Sequence, residues 1–201
     1  INLNVGSSSH GKQTALMIEK IEQVLLEKKV DAIVVYGDTN STLASAIAAS
    51  KIHIPIVHIE AGLRSFNKKM PEEINRIMCD HSSTLLFSPT ETGYQNLIKE
   101  GFSTHVSQNA SADEPNIYHC GDVMYDNTIY FSKLSDQKST VLQNLNLQDQ
   151  PYILATVHRN DNTDNPTKIN AIFSSFLNLT EKHKISLVLP LHPRTLKMKE
   201  A

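Results

Sequence analysis

The chain has no tryptophan and only two cysteines, Cys79 and Cys120, among 201 residues. Two cysteines cannot build a disulfide framework or a four-cysteine zinc site, and they predict a reduced, cytoplasmic setting. An excess of one charge is also missing. Nineteen Lys and Arg stand against 21 Asp and Glu, for a net charge of -2 and a pI of about 6.5. That balance excludes a general electrostatic grip on nucleic acid or anionic membrane and leaves room only for a local basic pocket. No apolar run approaches the roughly 18 residues a membrane helix needs, and no basic leader precedes a short apolar stretch. Neither a Gly-x-x-x-x-Gly-Lys-[Ser/Thr] phosphate loop nor a Gly-x-Gly-x-x-Gly fingerprint occurs, so ATPase and dinucleotide chemistry are unsupported. His10-Gly-Lys-Gln-Thr14 has the composition of a phosphate loop with the wrong spacing. His53 and His58 flank Pro55 but form no compact ligand motif, so no metal or cofactor is expected.

What remains is an ordinary globular composition, 40% hydrophobic and 20% charged, with an alternating pattern. Apolar residues at helical spacing run from Gly11 to Lys28, followed by the β-branched run Asp31-Ala-Ile-Val-Val-Tyr36 closed by Gly37. Helices are predicted over 41–50, 71–81, 91–100 (with Thr90 as N-cap), 124–134 and 166–183. Strands are predicted over 55–59, 84–87, 116–120, 152–157 and 185–191. Between Lys133 and Gln150 the chain turns polar, which marks a domain junction. Strands joined by helical crossovers predict parallel sheets in a doubly wound α/β fold, with ligands at the carboxyl ends of the strands. Both ends of the chain read as cut: it starts at Ile1 without Met, and residues 194–201 resemble the opening of another helix. The expectation is a piece of a longer protein.

The polar residues that follow each strand are therefore the candidates. Asp38, in Tyr36-Gly-Asp-Thr-Asn-Ser-Thr42, stands at a strand tip beside a helix start. It is either a reactive carboxylate or, like Asn40, a helix cap. Glu60, in His58-Ile-Glu-Ala-Gly-Leu-Arg64, lies at the next strand tip, where two carboxylates can share one crevice for proton transfer or Glu60 can pair with Arg64. Pro71-Glu-Glu-Ile-Asn-Arg76 opens a helix in which Glu73 suits the macrodipole. Glu72 and Arg76, four apart, form either an acid beside an anion-binding guanidinium or a surface pair. Two further strand tips carry His158-Arg159 and His192-Pro-Arg194, the expected partners of an anion. Cys79, on a helix of ordinary pattern, reads as core.

Taken together, Gly37-Asp-Thr-Asn-Ser-Thr-Leu-Ala44, His58-Ile-Glu-Ala-Gly-Leu-Arg64, Pro71-Glu-Glu-Ile-Asn-Arg76, Phe87-Ser-Pro-Thr-Glu91, Gly121-Asp-Val-Met-Tyr-Asp126 and Thr156-Val-His-Arg159 resemble, in order and spacing, the non-hydrolysing UDP-N-acetylglucosamine 2-epimerase family. Ser65-Phe-Asn-Lys-Lys-Met70 and Leu191-His-Pro-Arg194 are most similar to the branch acting on UDP-2,3-diacetamido-2,3-dideoxy-glucuronate. The resemblance implies two Rossmann-like domains facing across a cleft, the glycosyltransferase-B arrangement. Residues 1–135 would form most of the first domain, 136–150 a linker and 151–201 the start of the second. It further implies inversion at C2 of a UDP-linked 2-acetamido sugar through a 2-acetamidoglucal. Asp38, Glu60, Glu72 and His158 match catalytic positions, while Arg76, Arg64, Arg159 and His192 are assigned to substrate. Arg159 and His192 fall where some members hold a second UDP-sugar.

The family also implies a homodimer serving surface-polysaccharide synthesis in the cytoplasm. Asn160-Asp161 departs from the Arg-Glu pair of many members, and Ser103 to Glu114 reads as an insertion. The piece alone, with half a diphosphate site, is expected to be inactive. A glycosyltransferase of the same fold and a non-catalytic UDP-sugar-binding subunit are the rival readings.

Overall fold

The computed structural model of the chain describes residues 1–6 and 8–191. The chain divides into two compact units, residues 1–131 and 132–201. The first unit begins with α1 (His10–Lys28), β1 (Ile33–Tyr36), α2 (Asn40–Lys51) and β2 (Ile56–Ile59). It continues with α3 (Pro71–Asp80), β3 (Leu85–Ser88), α4 (Glu91–Lys99) and β4 (Asn116–His119). The four strands pair in parallel in the order β1-β2-β3-β4, with Val34 opposite Val57 and His58 opposite Leu86. Each parallel step needs a crossover, and α2, α3 and α4 supply the three. The α/β reading of the sequence holds, with every tip from Gly37 to Cys120 on one edge.

Small residues explain how α2 sits so close to its neighbours. Ala44, Ala46, Ala48 and Ala49 are fully buried, and four of the core residues around them are Leu25, Val35, Ile56 and Cys79. A second cluster of Ala61, Leu86, Leu97 and Ile117 packs under α4. Thr39 caps α2, its side chain accepting from the Thr42 N–H at 3.3 Å, and Thr90 caps α4 through the Gly93 N–H at 3.0 Å. The cap of α2 is thus Thr39 rather than Asp38 or Asn40, which leaves Asp38 for other work. Pro71 stands in the first turn of α3, where its missing N–H costs nothing. Cys79 is core, as its pattern predicts, and burial followed by the charge of Asp80 pushes its thiol up to about 12.

α5 (Val123–Lys138) follows β4 and runs through the division between the units. The polar stretch after it holds a further short helix, α6 (Val141–Asn144), absent from the sequence reading because one turn carries too little periodicity. The second unit continues with β5 (Tyr152–Leu154), α7 (Asn160–Thr163), α8 (Pro166–His183) and β6 (Ser186–Val188). β5 and β6 pair in parallel, and Asn165 caps α8 through the Thr167 and Lys168 N–H groups. Among the described residues no helix is long and apolar enough to cross a membrane.

Candidate active site

The carboxyl edge of the first sheet gathers the acids that the sequence placed at strand tips. Asp38 follows β1 and Glu60 follows β2, and Arg76 of α3 reaches both. Its Nη1 lies 2.8 Å from Asp38 Oδ2, and its Nη2 donates to Glu60 Oε2 at 2.9 Å. Arg76 Nε also donates to the Glu60 carbonyl at 3.2 Å. One guanidinium therefore balances two like charges and holds them side by side, as its planar fork allows. Both carboxylates keep about a quarter of their surface exposed, 26% and 29%, so they remain open to a ligand.

Glu60 occupies its place at a conformational cost. Its φ of +79° lies in the left-handed region, which L side chains other than Asn and Asp rarely enter. Two hydrogen bonds offset the strain: the Glu60 and Ala61 N–H groups both donate to the Phe87 carbonyl at 3.0 Å. Gly37 makes room opposite. A Cβ there would stand 2.9 Å from Glu60 Oε2, so no larger residue leaves that carboxylate where it is.

Glu72 sits on the exposed side of the first turn of α3 and lines a depression with Asp38, Asn40, Asn75, His10 and Gln13. Asn75 is buried below it and donates to the Asp38 carbonyl at 2.8 Å and to Asn40 Oδ1 at 3.2 Å. Asn40 in turn donates to Gln13 Oε1 at 2.9 Å, which ties α1 to the rim. Arg76 thus turns to Asp38 and Glu60, away from the alternative of a surface pair with Glu72. A second cavity, lined by Glu60, Phe87, Pro89, Cys120, Gly121 and Asp126, adjoins the same edge.

Arg64 goes elsewhere. Its side chain is 1% exposed, with Nη1 2.7 Å from Asp80 Oδ2 and with Nε and Nη2 each donating at 2.7 Å to the Glu100 carboxylate. Burial works against its charge, but Glu100 and Asp80 outweigh that and its pKa is raised. The expectation that Arg64 contacts substrate, or pairs with Glu60, is therefore replaced by a structural role: the side chain is buried and its donors are committed to buried Asp80 and to Glu100. Breaking such a buried pair costs about 3–5 kcal/mol.

Two residues that no spacing argument singled out support this edge. Glu73, expected only to complement the helix dipole, is buried. It accepts from the Ser65 N–H (2.7 Å), the Ser65 hydroxyl (2.8 Å) and the Phe66 N–H (3.1 Å), pinning the loop between β2 and α3. Asp80, fully buried, accepts from the Gly62 N–H at 3.1 Å and lies 2.7 Å from His58 Nδ1. The signal for Glu73 was a carboxylate at the start of α3, read too locally.

Glu73 sets an acid limit on stability. Burial acts to raise its carboxyl, but the Ser65 N–H, the Ser65 hydroxyl and the Phe66 N–H together pull it below the ordinary carboxylate value. A depressed folded-state value contributes stability that is present above the unfolded pKa and lost as pH falls through the folded one. Glu73→Gln is therefore expected to melt well below the parent at about pH 7, with the gap closing towards about pH 3. Thermal unfolding across that range checks it, and a gap independent of pH would contradict the assignment.

In the second unit, His158 and Arg159 follow buried Val157 just beyond β5, and both are exposed. His192 lies outside the described residues. Among the described residues no group of three or more His, Cys, Asp or Glu is arranged to hold a metal ion.

The chain is similar to known proteins. Over 200 residues the chain is 48% identical to a Methanococcus maripaludis protein described as a UDP-N-acetylglucosamine 2-epimerase homolog, covering 99% of this chain and 52% of that one. It is 47% identical over 193 residues to the UDP-2,3-diacetamido-2,3-dideoxy-D-glucuronate 2-epimerase of Pseudomonas aeruginosa, covering 96% and 51% of the two. The crystal structure of Methanocaldococcus jannaschii UDP-GlcNAc 2-epimerase in complex with UDP-GlcNAc and UDP superposes with a TM-score of 0.84 at 41% identity. That match covers 99% of this chain and 52% of the other. The chain thus spans about half the length of the relatives it matches, and its fold class is the α/β, glycosyltransferase-B type of those structures. The family model for UDP-N-acetylglucosamine 2-epimerase matches residues 1–200, and the chain accordingly belongs to that family.

Proposed function

We propose that the full-length protein inverts C2 of a UDP-linked 2-acetamido sugar, either UDP-N-acetylglucosamine or a diacetamido-uronate analogue. The observation that carries this reading is the Arg76 clamp, which sets the Asp38 and Glu60 carboxylates side by side at the carboxyl edge. Glu72 stands on the same rim. Inversion at C2 needs groups that remove a proton from one face and return one to the other, and carboxylates at one locus suit that task. A carboxylate takes the C2 proton as the C1–O bond to UDP breaks, and its electron pair leaves on the diphosphate. A C1=C2 double bond remains. Return of the diphosphate oxygen to C1, with protonation of C2 from the opposite face, completes the inversion with no net redox change.

His158, Arg159 and His192 are assigned to the diphosphate, because cationic donors on a leaving anion lower the cost of its departure. The bound UDP-GlcNAc and UDP of the M. jannaschii relative support the substrate class, and the P. aeruginosa relative supports the diacetamido variant. A cytoplasmic homodimer acting in polysaccharide synthesis completes the proposal.

The test is incubation of the full-length protein with UDP-N-acetylglucosamine in deuterated water, followed by NMR. Deuterium at C2 together with the C2 epimer is the expected result. Sugar transfer to an acceptor without C2 exchange would indicate a glycosyltransferase instead. Binding of UDP-sugar with neither reaction would indicate a non-catalytic subunit.

A further inference from the structure

We infer that His58 is a positioning residue that donates from both ring nitrogens and sets the Gly37–Asp38 peptide for proton transfer at Asp38; this rests on the functional reading above. The ring is fully buried at the centre of the first sheet. Its Nδ1 lies 2.7 Å from Asp80 Oδ1 and its Nε2 lies 2.9 Å from the Gly37 carbonyl oxygen.

Neither neighbour offers a proton in return. A backbone carbonyl only accepts. The Asp80 carboxylate accepts from the Gly62 N–H at 3.1 Å and lies 2.7 Å from Arg64 Nη1, the surroundings of an ionised acid. A ring that bonds both oxygens therefore donates from both nitrogens. His58 and Arg64 then flank the buried Asp80 charge, and Arg64 also reaches the exposed Glu100, which lies 3.1 Å from His81 Nε2. Cys79, beside Asp80 in α3, is held as a neutral thiol by burial.

The position of the ring explains why the arrangement matters. Gly37 is in the left-handed region at φ +64°, and its carbonyl carbon is bonded to the Asp38 nitrogen. Orienting that carbonyl orients the peptide from which Asp38 springs. His58 itself lies two residues before Glu60 on β2, and Asp80 ends the helix that carries Glu72 and Arg76. One buried pair thus ties together the three elements that carry the candidate acids. Small shifts between reacting groups cost large factors in rate, about 10²-fold for a displacement near 1 Å.

The experiment uses the full-length protein and His58→Gln, which can keep at most one of the two bonds. Expected is a kcat for C2 exchange lower by about 10- to 100-fold, with KM changed less than about threefold. In an Asp38→Asn background the same substitution is expected to cost no more than about threefold further, because its effect passes through Asp38. Ring nitrogen NMR of the unsubstituted protein at neutral pH is expected to show two protonated nitrogens on His58. An equal loss in both backgrounds, or a ring with one protonated nitrogen, overturns the inference. Should His58→Gln fail to fold, the ring resonances decide. Absence of C2 exchange in the unsubstituted protein would instead overturn the functional reading, and the resonances would still judge the double donation.

Discussion

Glu60→Gln in the full-length protein is expected to lower kcat for C2 inversion by about 10²- to 10⁴-fold while leaving UDP affinity within about threefold. Asp38→Asn is expected to behave alike. The amide keeps the shape of each side chain and still accepts from Arg76, so the clamp persists with its reach of 2.8 and 2.9 Å. What disappears is the capacity to take up and return a proton. Steady-state kinetics and deuterium incorporation at C2, together with calorimetric titration of UDP, separate the two quantities. Retention of full activity by either variant would remove that carboxylate from the proton path. A parallel loss of UDP binding would mean that the substitution had collapsed the edge. The split is diagnostic because the diphosphate is assigned to other residues, His158, Arg159 and His192, none of which these variants alter.

Gly62→Ala is expected to unfold the first unit or to lower its unfolding free energy by more than about 3 kcal/mol. Two costs add. The residue has φ +77°, where an L side chain loses about 1–2 kcal/mol. A Cβ would also stand 2.3 Å from the Gly93 carbonyl oxygen and 2.9 Å from Leu97 Cγ, and the first of these is backbone that cannot swing away. The residue is held through both its flanking peptides: its N–H donates to Asp80 and its carbonyl accepts from Asn96 Nδ2 at 3.0 Å. Relief of the clash therefore drags the Asp80 network with it. Gly101→Ala is the comparison, since its φ is +100° but nothing lies within 4 Å of the added carbon. Its loss is expected near the conformational cost alone. Urea unfolding of both variants checks the difference, and equal losses would show that packing at Gly62 is loose.

Much of the site was legible because strand–helix alternation forces every post-strand residue onto one edge. Asp38 and Glu60 needed only that rule, and the Pro71-Glu-Glu start of α3 follows from first-turn preferences. Pairing was not legible. Glu72 and Arg76 are neighbours at helical spacing, and sequence spacing offered them as a pair. In space Arg76 lies within 2.9 Å of two carboxylates on other elements, and that attraction directs it. Arg64 misled for the same reason: its partners Asp80 and Glu100 stand on α3 and just past α4, and nothing in the local pattern connects them.

The order of amino acids alone determined the alternating elements, the parallel sheet, the Thr90 cap and the edge that carries the candidate acids. Propensity, hydrophobic period and crossover length are properties of neighbouring residues, and they survive in one dimension. Tertiary structure alone decided that Arg76 spans Asp38 and Glu60, that Arg64 is buried, and that His58 reaches from Asp80 to the Gly37 carbonyl. Hydrogen bonds and ion pairs act within about 3 Å, while the residues that form them lie whole crossovers apart along the chain. Only closing the sheet brings such groups within that range, so their partners are set by packing.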